Sequence, residues 1–142
     1  VGTAQVDANK IAAENISAEN ISANNITMNI QRGAGKITLT TGAVGFQPRW
    51  YRCGNIVQME VSTKCAGKVA SGANIAAGKI TGVPAPITKS GVRAVSYYGN
   101  NSNISYMGSD GTFYARNAGA DALANGNDCI GGFTYITDGT ML

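Results

Sequence analysis

The chain has 142 residues and a net charge of +3, with 13% charged residues, 44% hydrophobic residues and 19 glycines. That length holds one domain and a short appendage, and the composition is too apolar for a disordered chain. Eleven scattered basic residues against eight acidic ones exclude an electrostatic nucleic-acid binder, and the absence of His excludes a Ser-His-Asp triad, a Cys-His pair and the usual zinc sets.

In chain order, the opening "VGTAQVDANK" has neither an initiator Met nor the basic and apolar regions of a signal peptide, which leads to the expectation of a piece of a longer polypeptide. Next comes "AENISAENISANNIT", part of an apolar series at Val6, Ile11, Ile16, Ile21 and Ile26. On a helix a five-residue step places successive Ile about 140° apart and forms no stripe. On a flat strand it sends them to opposite faces. A period of five suits a backbone that turns at each repeat, as in a β-solenoid, or several chains wrapped together, where Ile is buried against copies of itself. Residues 1–30 contain no aromatic residue, whereas all ten aromatics fall between Phe46 and Tyr135, so the core is expected there.

"NIQRGAGKITLTTG" reads as a connector with a first strand at 36–41. "RWYRCGNIVQMEVST" splits at Gly54-Asn55, a two-residue hairpin signal. The alternation that follows puts Val57, Met59 and Val61 on one face and Gln58, Glu60 and Ser62 on the other. Residues 66–91, punctuated by Gly and Pro, read as a long connection between sheets with room for a short strand. "VRAVSYYG", "NISYMG", "TFYARNAG" and "CIGGFTYIT" are four further strands, with turns at "GNNSN" and "GSDG". Short strands with turns about every ten residues define an all-β sandwich or barrel of roughly 100 residues. No run of 18 apolar residues predicts a spanning helix, so no membrane insertion is expected. Cys53, Cys65 and Cys129 read as buried thiols of a protein made in a reducing cytoplasm, with a Cys53–Cys65 bridge left open.

Catalysis has little to stand on. A glycosidase needs two carboxyls about 5–9.5 Å apart, and four of the five acids beyond residue 42 sit in Gly/Asn turn contexts. Binding a saccharide needs only an aromatic platform flanked by polar side chains. "SYYGNNSNISYMGSDG" is the richest stretch of that kind. One of Tyr97 and Tyr98, together with Tyr106, is expected to stack on a sugar, while Asn101 and Asp110 bond its hydroxyls. The alternative is that the Tyr are ordinary strand residues and the Asn merely suit turns. Trp50, between Arg49 and Arg52, is either a second platform or an anchor in the core or a subunit interface.

Two features resemble phage tail fibres and receptor-binding proteins of Gram-positive hosts. The N-terminal "ANKIAAENISAENISANNIT" is similar to the Ala-x-Lys-Ile-Ala-Ala repeats of tail and baseplate fibres. The order "RCGNIVQMEVS", Gly/Pro linker, "SDGTFYARNAG" and "FTYIT" is similar to compact fibre heads. The resemblance implies a parallel homotrimer with a stalk (1–30), a connector with first strand (31–41) and a jelly-roll-like β-sandwich head (42–142). It further implies a place on the virion at the tail tip or fibre beside other tail or baseplate proteins, and adhesion to a host cell-wall or envelope polysaccharide. No enzyme activity and no metal or other cofactor is expected. The rivals are a purely structural fibre piece and a tail-spike-like depolymerase.

Overall fold

The computed structural model of the chain describes residues 29–98 and 101–142, with the side chains of Tyr97, Tyr98 and Asn101 outside the description. The described residues form ten strands: β1 (Gln31–Ala34), β2 (Lys36–Leu39), β3 (Val44–Gly45), β4 (Arg49–Cys53), β5 (Ile56–Lys64), β6 (Asn74–Thr81), β7 (Val92–Tyr98), β8 (Asn101–Met107), β9 (Thr112–Asn117) and β10 (Asp128–Ile136). No helix occurs among the described residues. All pairings are antiparallel and build two sheets. The first has the order β1-β4-β5-β10, with β3 beside the end of β5, and the second the order β2-β6-β9-β8-β7. The described residues form an all-β fold of two packed antiparallel sheets, as a β-sandwich requires.

The strands form where the side chains alternate. Along β5, Val57, Met59 and Val61 are buried while Gln58 and Glu60 are exposed. On β10, Cys129, Phe133 and Tyr135 turn inward and Ile130, Thr134 and Ile136 outward. Phe113 and Ala115 of β9, Met107 of β8 and Ile75 and Ile80 of β6 complete the facing layer. Each large side chain so buried contributes about 1.5–3 kcal/mol. The β4–β5 hairpin closes at Gly54-Asn55, where Gly54 has φ 58° and Cys53 pairs with Ile56. That is the two-residue turn expected from the sequence.

Two segments differ from the reading of the sequence. Residues 66–91 contain β6, an eight-residue strand lying between β2 and β9 in the second sheet. A register shift between Asn74 and Ala76 lets the adjacent Ile75 and Ala76 both be buried, which hides the period-two signal. From β6 the chain crosses over residues 82–91 to β7 and returns through β8 to β9, a Greek-key path. The strand expected at 36–41 is present as β2, but the stretch before it, expected to be a connector, is itself the strand β1. β1 is the outer strand of the first sheet and β2 that of the second, so the chain changes sheet at Gly35. At the opposite side β10 runs beside β7 and β8.

The core is not uniformly apolar. The Cys129 thiol lies beside the hydroxyls of Thr63, Ser96 and Ser105, of which Ser105 Oγ is within 3.8 Å. The Thr63 and Ser96 hydroxyls and the Asn103 amide are buried without a hydrogen-bond partner among the described residues. Burial pushes the Cys129 and Cys65 thiols up from their ordinary pKa. Neither is in a disulfide, so no Cys53–Cys65 bridge forms. No helix among the described residues is long and apolar enough to cross a membrane.

Candidate functional site: the outer face of the second sheet

Strand alternation turns Arg93 and Val95 of β7, Ile104 and Tyr106 of β8, Tyr114 and Arg116 of β9, and Asn74 and Lys79 of β6 away from the core. Register then sets them in rows: Arg93, Tyr106, Tyr114 and Ala77 in one, and Val95, Ile104, Arg116 and Asn74 in the next. Within the first row the Tyr106 and Tyr114 rings stack with centroids 4.9 Å apart and planes inclined by 22°. The Arg93 guanidinium lies 5.0 Å from the Tyr106 centroid and that of Arg116 5.4 Å from Tyr114. The four side chains thus form a ladder with the rings inside and the cations outside, an arrangement favoured by the ring quadrupole. Arg116 Nε also donates to Asn74 Oδ1 at 3.4 Å.

The β8–β9 turn brings a carboxylate to one end of this ladder. Asp110 accepts from the Thr112 amide and the Thr112 hydroxyl, each at 2.9 Å. Those two bonds, with a smaller contribution from Lys79, hold its carboxyl below the ordinary aspartate range. Gly108 is what lets Tyr106 and Asp110 converge. A Cβ there would stand 3.0 Å from the Tyr106 phenol oxygen and 2.9 Å from Asp110 Oδ1.

Beside the ladder runs a groove of ≈ 460 Å³. Its floor includes Ala77 and Gly78 of β6; Tyr114 and Thr112 lie to one side, Thr38 and Thr40 to the other, with Asn74 and Lys79 also lining it. Its volume lies within the range usual for small-ligand sites, about 300–1,000 Å³. The groove and ladder together offer aromatic surface, hydroxyls, an amide, three cations and one carboxylate. That set suits hydrogen bonding to a polyhydroxylated ligand, with a preference for one that carries negative charge.

Of the residues expected from sequence, Tyr106 and Asp110 come together here. Tyr97 and Tyr98 pair through their backbones with Ser102 and Asn101 at the other end of the β7–β8 ladder. Asn101 and Tyr106 are five residues apart along β8, or about 17 Å. Trp50 belongs to the first sheet. It is half-buried, packs against the core and donates from Nε1 to the Gly82 carbonyl at 3.1 Å. It therefore links β4 to the segment that follows β6. Val6, Ile11, Ile16, Ile21 and Ile26 lie outside the described residues.

Tyr114, Arg93 and Arg116 escaped the reading of the sequence, although a signal for Tyr114 was present: Tyr106 and Tyr114 stand four residues either side of Asp110, so a hairpin centred there must set them opposite each other. No protein-family model matches the chain, and no curated protein matches it.

Proposed function

We propose that this chain is the receptor-binding part of a phage tail fibre, which attaches the virion to host cell-surface saccharide without catalysis. The observation that carries the reading is the Tyr106–Tyr114 stack, bracketed by Arg93 and Arg116 and bordered by the groove over Ala77 and Gly78. Tyr114, Tyr106, Asn74, Thr112, Asp110 and Arg116 are the residues assigned to ligand contact. A shallow site of this kind binds weakly by itself. A homotrimer, and many fibres on one virion, would convert that weak affinity into firm attachment. The cationic face formed by Lys79, Arg93 and Arg116 favours wall polymers that carry acid groups and draws the head toward them.

Two exposed carboxyls do not suit the acid role of a glycosidase. Asp110 and Asp138 are both held low, chiefly by hydrogen bonds from Thr112 and Thr140. A glycosidase acid requires the opposite shift.

The test is binding of the full chain to purified bacterial wall polysaccharides and to whole cells, with polymer size followed in parallel. Tyr114→Ala and Arg116→Ala are each expected to weaken binding about tenfold or more, with the fold intact and polymer length unchanged. Shortened polymer would replace the adhesin with a depolymerase. Absence of binding to every wall polymer would leave the structural fibre piece.

A further inference from the structure

The outer face of the first sheet contains a gap that the fold does not require. β10 turns Ile130, Gly132, Thr134 and Ile136 outward, so Gly132 interrupts a row of side chains in mid-strand. A glycine there weakens a strand by about 0.5–1 kcal/mol, through its backbone freedom and its missing side chain. A glycine inside a strand often marks a bulge, a tight bend or a close approach by a ligand or another backbone, and the unbroken pairing of β10 with β5 shows no bulge here. Its neighbour Gly131 has a close approach within the chain. A Cβ on Gly131 would stand 2.9 Å from Ser105 Oγ in the opposite sheet. At Gly132 a Cβ would meet nothing within 4 Å.

The surroundings of this gap form a site. Gly132 lies opposite Glu60, and Glu60 lies opposite Arg49. With Gln47, Gln58, Ser62 and Ile130 among the other lining residues, they border a groove of ≈ 450 Å³. The one ion pair among the described residues joins Lys64 to Asp128, so Arg49 and Glu60 stand side by side without pairing. The groove therefore offers balanced charge, donors and acceptors in similar number, and an apolar wall in Ile130, which is 58% exposed.

We propose that the Gly132 groove is a second ligand site, separate from the aromatic ladder, and that it takes an uncharged sugar ring. The bare backbone at Gly132 lets the ring lie close to the sheet. Arg49 donates to its hydroxyls while Glu60 accepts from them, and Ile130 covers its C–H face. A ligand of either charge would meet one repelling group. The choice of a sugar rests on the reading of the chain as a saccharide binder, but the site rests on its own residues.

The experiment titrates the isotope-labelled full chain with glucose, galactose and N-acetylglucosamine in turn and follows amide shifts. At least one sugar is expected to move Ser62, Gly131 and Gly132. Gly132→Val is expected to fold with an unchanged or higher Tm and to lose those shifts. Glu60→Gln keeps the shape, leaves the strand as it is and is expected to weaken binding about tenfold. No movement at these amides with any of the three sugars overturns the proposal, as does movement that survives both substitutions. Shifts confined to Tyr106, Tyr114 and their neighbours would overturn this site and leave the ladder standing. Shifts confined to the Gly132 groove would uphold this site, and the ladder, assigned to acidic polymers, stands or falls by its own binding test.

Discussion

Asp110 is where a single side chain ties turn geometry to the chemistry of the face. Both of its oxygens are engaged by Thr112, and its folded pKa is consequently depressed. A group of this sign contributes above its unfolded pKa, and the contribution disappears as the pH falls through the lower folded value. The charge pattern of the ladder should therefore be constant from about pH 7 to about pH 5, the range above ordinary aspartate titration. Saccharide binding is expected to be flat across that interval, and the Asp110 carboxyl signal in an NMR titration should have its midpoint below that of an ordinary aspartate. A midpoint at the ordinary value would mean that the Thr112 bonds do not persist in solution. Asp110 was legible in the sequence because "GSDG" is a turn signal. The partners that give it meaning were less so: Lys79 lies 31 positions upstream, on a strand the sequence concealed.

At the level of strands, what could be read followed from local rules. The β4–β5 hairpin announced itself through Gly54-Asn55 and a period-two run, and β7 to β10 through aromatic and β-branched residues between turns. Gly54 has positive φ, with nothing within 4 Å of its Cβ position, so the penalty of a side chain there is purely conformational. Gly54→Ala is expected to lower stability by about 1–2 kcal/mol, read as a lower denaturant midpoint with an unchanged slope. β6 was hidden for a different reason. "NIAAGKIT" has a bulge that breaks the alternation and small residues that carry little hydrophobic signal. Those same small residues make the groove floor beside Tyr114. The feature that concealed the strand is the one that opens the candidate site.

For the whole molecule, sequence reasoning reached the class of architecture and stopped short of its closure. Which sheet each strand joins depends on long-range pairing, such as β5 with β10, and no local pattern reports it. Assembly belongs to this scale as well. The pentad Ile series raises the expectation of burial between identical chains or in a solenoid, and the proposed function depends on a homotrimer for avidity. Light scattering at low micromolar concentration is expected to give three times the 14.6-kDa chain mass. A monomer mass would remove the homotrimer and with it the multivalent account of adhesion.

The change of sheet at Gly35 has a mechanical consequence. Its amide is anchored to the Pro48 carbonyl at 2.8 Å, with β1 hydrogen-bonded to β4 on one side and β2 to β6 on the other. Tension arriving through the residues before Gln31 enters the first sheet along β1. One residue later it reaches the second sheet along β2, so neither sheet carries the load alone. A pull from that end must strip two strands from two different sheets before the interior is breached.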